Sequence, residues 1–139
     1  MSLYVLDTDI LSLYQEGHPG IRQHIAQHPP DELSTSIISV EEQLSSWYTL
    51  RRRVKGRDQL ARAYERFAQN VRMLSRLQIL SYSTEAIDRY DVLRRSKLGV
   101  KGNDLRIAAI ALQNSAIVIT RNRVDFERIP GLRIEDWSV

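Results

Sequence analysis

The sequence predicts an α/β fold in which a mostly parallel sheet is wrapped by helices. Short apolar runs of strand length alternate with longer segments whose apolar residues recur at spacings of three and four. No two runs are joined by the tight Gly/Asn turn of a β-hairpin, so consecutive strands are expected to be parallel.

Leu3-Tyr4-Val5-Leu6 is a buried strand that ends at Asp7-Thr8-Asp9, where small capping residues open a helix through Leu13-Tyr14. Pro19 starts a second helix and Pro29-Pro30 closes it. Thr35-Ser36-Ile37-Ile38 is the second predicted strand, and Ser39 leads into a helix with apolar positions Val40, Leu44, Trp47 and Tyr48. Gly56 breaks that helix. The next one carries Leu60, Tyr64, Phe67, Val71 and Leu74 at alternating steps of four and three, so the pair is expected to form a helical hairpin with one apolar seam. Leu77–Ser81 is a third strand, and Ser83-Thr84 caps a helix through Ala86, Ile87, Tyr90 and Leu93. Gly99 and Gly102 punctuate a loop before Asn103-Asp104. The helix from Leu105 to Leu112 is apolar nearly all round and is therefore expected at the centre. Ala116–Thr120 is a continuous apolar strand, the pattern of a strand covered on both faces, and Leu132-Arg133-Ile134 is a short last one.

With 139 residues, 42% hydrophobic and 27% charged, the chain is expected to form one domain over residues 1–139. No apolar stretch has the length of a membrane span and the N-terminus lacks a signal-peptide pattern, so a soluble cytoplasmic protein with no membrane association is expected. The absence of cysteine excludes disulfides, thiolate metal sites and cysteine nucleophiles. Any metal must be held by carboxylate oxygen or histidine, and oxygen points to a hard cation. The net charge of +3 is unevenly spread: nine basic against two acidic residues between Arg51 and Arg76 leave +7 there and −4 elsewhere. Such a basic segment suits phosphate contact, and equally a solvated helix or an acidic protein partner.

In open α/β sheets the working site lies outside the carboxyl ends of the strands. Asp7 ends the first strand, Glu42 lies in the first turn of the helix after the second, Asp104 opens the central helix, and Asp125 follows the Ile117–Thr120 strand by five residues. Four carboxylates converging there repel one another unless a cation neutralises them, which makes the cluster a candidate Mg²⁺ or Mn²⁺ site. Each acid also has a plain structural reading. Asp7 and Asp104 suit helix N-termini, Ser39-Val40-Glu41-Glu42 is a capping-box pattern, and Asp125 suits a turn.

Taken in order, Leu6-Asp7-Thr8-Asp9, Ile38-Ser39-Val40-Glu41-Glu42, Gly102-Asn103-Asp104-Leu105-Arg106-Ile107-Ala108-Ala109 and Thr120-Arg121-Asn122-Arg123-Val124-Asp125-Phe126 resemble the successive signatures of PIN-domain ribonucleases of the VapC toxin type. The ending Phe126–Trp137 is similar too, so the resemblance spans nearly the whole chain. It implies a PIN-like α/β/α sandwich of about four or five mostly parallel strands with a projecting helical hairpin. It also implies a Mg²⁺- or Mn²⁺-dependent endoribonuclease, the toxin of a type II toxin–antitoxin module, with a small VapB-like antitoxin and a homodimeric state. Carried over residue by residue, Asp7, Glu42, Asp104 and Asp125 match the acidic quartet, Asp7 and Asp104 being the principal metal ligands. Thr8, Thr120 and Asn122 match polar positions lining the site. Arg51, Arg52, Arg53, Lys55 and Arg57 are candidate RNA contacts. The chain departs from the family at Asp9, where Asn is usual, and at Ser39 and Glu42-Gln43, where Thr and Glu-Leu are common. The alternative is a catalytically idle PIN scaffold that only binds RNA or protein.

His24 and His28 share one helix face, a geometry that can bind zinc, but lack the adjacent Glu and are read as structural. Trp47, beside Arg51–Arg53, is read as packing rather than base stacking. A phosphoacceptor receiver domain would need an acceptor Asp on a central strand and a Lys after a late one. Ile79-Leu80-Ser81 and Ile117–Arg121 supply neither.

Overall fold

A computed structural model, which describes residues 2–139, puts the first predicted strand at the centre of the sheet, beside the continuously apolar strand near Ile117–Ile119. Strand β1 (Tyr4–Leu6) pairs in parallel with β2 (Leu33–Ser36) on one side and β4 (Ile117–Ile119) on the other. Strands β3 (Gln78–Leu80) and β5 (Arg133–Glu135) complete a five-stranded, wholly parallel sheet in the order β3-β2-β1-β4-β5. The connections are α1 (Thr8–Gln15), α2 (Pro19–Ala26) and a 3-10 turn at Pro30–Glu32, then α3 (Ile37–Arg53), α4 (Arg57–Leu74), α5 (Thr84–Arg95), α6 (Gly102–Gln113) and the short α7 (Arg123–Phe126).

Alternation along the strands splits the core in two. Val5 and Val118 face α5 and α6, packing with Ala86, Leu93, Ile107 and Ile110. Leu6, Ile117 and Ile119 face the other side, with Ile10 and Leu11 of α1, Ile21 of α2 and Leu74 of α4. The result is the expected three-layer α/β/α arrangement, with the apolar α6 buried in the layer that covers one face of the sheet.

Two boundaries differ from the sequence reading. Strand β2 is Leu33–Ser36, two residues earlier than predicted, and Ile37-Ile38 already belong to α3. Its residues look too polar for a buried strand, yet all four are buried. The cost is met by β1: Ser34 Oγ donates to the Tyr4 carbonyl (2.8 Å) and Thr35 Oγ1 to that of Leu6 (2.7 Å). Ser36, not Ser39, therefore caps α3, accepting from the Ser39 N–H at 3.1 Å. This puts Glu42 in the second turn of the helix rather than the first. Gly102, expected in a loop, is instead the first residue of α6.

The hairpin forms as expected. Gly56, at φ +80°, turns the chain between α3 and α4 in a conformation that favours glycine. Trp47 is buried between the two helices, stacked on Phe67 at 4.4 Å and edge-on to Tyr64 at 5.0 Å, the packing role read from its spacing. His24 and His28 lie flat against Trp137 at 5.2 and 4.8 Å, so both are engaged in aromatic packing. Among the described residues no helix is long and apolar enough to cross a membrane.

Candidate active site

The strand order fixes where a site can form. The chain runs outward from β1 through β2 to β3 and then returns to the opposite side of β1 for β4 and β5, so the crossovers diverge at the carboxyl ends of β1 and β4. Leu6 pairs with both Thr35 and Ile119, which brings Asp7, Ser36 and Thr120 out at one edge.

Asp7 is 6% exposed, and its carboxylate caps α1 by accepting from the Ile10 N–H at 2.9 Å. It is thus a helix cap and a member of an acidic cluster at once. Burial pushes its carboxyl up to about 6. The Thr120 hydroxyl and Ile10 N–H pull the other way, while repulsion from Asp9 and Asp104 adds to the rise. Asp104 is the third residue of α6 and caps nothing. Its carboxyl is also raised, first by burial and then by the negative charges of Glu42 and Asp125, against the pull of Lys101 and Asn122. Asp104 therefore senses all three other predicted acids.

The polar residues link the acids. Thr8 donates to Glu42 Oε1 at 2.5 Å, with the buried Ser39 hydroxyl 3.0 Å from Thr8 Oγ1. The Asn122 amide donates to Asp125 at 3.0 Å and reaches Asp104 at 3.5 Å, while its oxygen accepts from the Asp125 N–H and so caps α7. Thr120, fully buried, accepts from the Asn122 N–H at 2.9 Å and thereby orients that residue. All seven predicted acidic and lining residues thus meet at the β1/β4 divergence.

Other residues are arranged differently. Asp9 turns to the rim and holds Arg121 through two hydrogen bonds of 2.7 and 3.1 Å. Glu41 is exposed on the outer face of α3, in a depression with Arg51 and Arg52. Arg51, Arg52, Arg53, Lys55 and Arg57 sit at the far end of the hairpin; Arg53 is eleven residues beyond Glu42 on α3, about 16 Å at the helical rise. Arg51 is hydrogen-bonded to the Tyr64 hydroxyl and Arg52 to the Tyr48 carbonyl. Ser39 and Arg121 were not singled out from sequence as site residues. A serine three places beyond a strand end was a signal for the first; the second had none.

The donor set is all oxygen, and its two most buried acids, Asp7 and Asp104, are raised first by burial and then by neighbouring acids; such a cluster of oxygen donors fits a hard divalent cation. As the side chains stand, no three acidic or histidine groups among the described residues enclose a common point that could hold an ion. Glu42 is turned toward Thr8, and Asp125 toward Asn122 and Arg128.

The sequence profile of the PIN domain matches residues 4–132. This chain belongs to the PIN domain family. Within it, the chain is 42% identical over 69 residues to a tRNA(fMet)-specific endonuclease VapC of Salmonella typhimurium, a match covering 46% of this chain and 52% of that one. It is 29% identical over 140 residues to ribonuclease VapC1 of Haemophilus influenzae, with 98% of each chain covered. The solved structure of DNA-bound VapBC from Salmonella typhimurium superposes with a TM-score of 0.79 at 29% identity, over 99% of both chains. The PIN fold expected from the four motifs is thereby established.

Proposed function

We propose that this protein is a divalent-metal-dependent endoribonuclease, the toxin of a toxin–antitoxin pair, working as one domain over residues 1–139. The observation that carries the reading is the gathering of Asp7, at the end of β1, and Asp104, in the first turn of α6, with Glu42 and Asp125 beside the divergence of β1 and β4. The Asp7 and Asp104 carboxyls are raised first by burial and then by neighbouring acids. The similarity over the full length to ribonuclease VapC1 supports it.

Asp7 and Asp104 would hold the Mg²⁺ or Mn²⁺, with Glu42 and Asp125 completing its surroundings. When bound, the cation neutralises phosphate charge and lowers the pKa of a water molecule. The protein's own groups do the rest. Glu42, fixed through Oε1 by Thr8, presents its second oxygen to take up a proton from the attacking water. Thr120 and Asn122 keep Asp7, Asp104 and Asp125 in mutual register. Arg51, Arg52, Arg53, Lys55 and Arg57 attract the RNA by their charge at longer range. A small VapB-like antitoxin would silence the enzyme by covering the acidic cleft. Homodimerisation would cover exposed apolar residues of the hairpin such as Tyr48 and Leu60, 59% and 39% accessible.

End-labelled RNA incubated with the protein tests this. The expected result is cleavage in Mg²⁺ or Mn²⁺, none in EDTA, and no 2′,3′-cyclic phosphate among the products, because water rather than the ribose hydroxyl attacks. Cleavage that persists in EDTA would refute the metal-dependent reading. Binding without cleavage under any divalent metal would leave an idle scaffold.

A further inference from the structure

We infer that a furrow between α4 and the α1–α2 pair seats the RNA strand beside the acidic site, with Arg22, Arg62, Arg66 and Arg76 contacting its phosphates. This rests on the nuclease reading and adds the path of the substrate to it. Three depressions of about 260, 440 and 210 Å³ run together on this face, all lined by Gln15 and Asn70. The first begins at Thr8, whose hydroxyl is bonded to Glu42. The second holds Arg62 and Arg66, and the third ends between Arg22 and Arg76. One end of the furrow is therefore in hydrogen-bond contact with the acidic cluster and the other is a pair of arginines.

The first depression opens between α1 and the α3–α4 hairpin and is largely apolar, lined by Leu44, Trp47, Leu50 and Phe67 among others; beyond it the lining has the chemistry of a polyanion track. Arg62, Arg66, Asn70 and Met73 repeat along α4 at steps of four, four and three, so they share the face turned to the furrow. From Arg62 to Arg76 the row covers about 20 Å. None of the four guanidinium groups is in an ion pair among the described residues. Arg22 is steadied over the Tyr14 ring at 5.9 Å. Glu16 and Glu65 balance Arg62 and Arg66 in the middle depression, but Arg22 and Arg76 face no acid in the third, so along the furrow four arginines stand against two glutamates. Beyond the first depression the walls are mainly arginine, glutamine and asparagine. Such walls match phosphates, riboses and base edges better than the apolar stripe of a protein helix. The furrow approaches the acids directly, whereas the hairpin-tip cations lie well along α3 from them.

The test is fluorescence anisotropy of a short labelled single-stranded RNA, in EDTA to prevent cleavage, over a salt titration with the full chain. Arg66→Ala with Arg76→Ala is expected to weaken binding about tenfold at low salt. It should also lower the slope of log affinity against log salt by about 1.4, roughly 0.7 for each lost phosphate contact. Arg94→Ala with Arg95→Ala, two exposed arginines on the opposite layer, should leave that slope unchanged. Arg66→Gln with Arg76→Gln is measured alongside, so that a folding defect in the alanine pair does not decide the result. Parental affinity and slope in both furrow pairs would overturn the proposal, as would an equal loss in the Arg94/Arg95 pair. So would furrow variants that keep RNA affinity while losing affinity for a polyglutamate peptide, which would mark a protein-binding face. Cleavage in Mg²⁺ separates the two readings. If the parent cuts RNA and the furrow variants bind as the parent does, only the furrow fails; if the parent cuts no RNA, the nuclease reading fails with it.

Discussion

Replacing Asp7 by Asn should stabilise the metal-free protein at neutral pH, although Asp7 caps a helix. Its carboxyl is held at about 6 against an ordinary 3.8, so the native state binds the proton more tightly than the unfolded chain does. The sign follows from linkage. The parent loses nothing from this group below the unfolded value, and its stability then falls as pH rises from about 4 through 6. At about 1.4 kcal/mol per pH unit, the full cost above pH 6 is about 3 kcal/mol. Asn cannot ionise and keeps an oxygen to accept from the Ile10 N–H, so it retains the cap and escapes the cost. For a chain of this length about 4 °C accompanies each kcal/mol, so the variant should melt about 10 °C higher at pH 7.5 in EDTA. The gap should close toward pH 4. Melting followed by circular dichroism from pH 4 to 8 reads it. A variant that melts lower than the parent at pH 7.5, with no dependence on pH, would show that Asp7 is only a cap and that its burial does not raise its carboxyl.

Asn122→Ala removes the amide shared by Asp104 and Asp125 and the α7 cap; stability should fall by about 1 kcal/mol, and cleavage should fall further than RNA binding, as single-turnover kinetics against anisotropy would show. Trp47→Ala empties the space between α3 and α4 and should cost about 3–5 kcal/mol in urea unfolding. Thr35→Val leaves the Leu6 carbonyl without its hydroxyl donor and should cost about 1–2 kcal/mol by the same measurement. Asp9→Asn loosens the half-exposed pair with Arg121 and should change stability by no more than about 1 kcal/mol.

The parts of the fold that could be read in the sequence are those where side-chain pattern and burial agree. The Ile117–Ile119 strand and the α6 helix are apolar because both sides of each are covered. Strand β2 misled because Leu33-Ser34-Thr35-Ser36 buries hydroxyls, which is tolerable only through bonds to carbonyls of β1 some thirty residues away. The acids were legible as a group, since strand ends set their spacing and PIN motifs surround them. What each carboxylate touches was not. Asp7 proves to be both cap and cluster member, a combination that weighing one role against the other could not anticipate. The Asp9–Arg121 pair joins residues 112 positions apart, and the furrow arginines come from α2, α4 and the turn after α4. Charge density alone points to the hairpin tip between Arg51 and Arg57, whereas only the three-dimensional arrangement shows that Arg62, Arg66 and Arg76 line depressions shared with α1 and α2.

The central claim is that the four acids form a metal-dependent centre for RNA cleavage, and it is tested most directly by single-turnover cleavage of one labelled RNA across a Mg²⁺ titration, comparing the parent with Asp104→Asn. Asp104 is the decisive position because it senses every other acid of the cluster and caps nothing. The account predicts a parent rate that rises from background to saturation with Mg²⁺, and a variant that stays folded yet remains at background throughout. A folded Asp104→Asn protein that cleaves at the parental rate in saturating Mg²⁺ would contradict it.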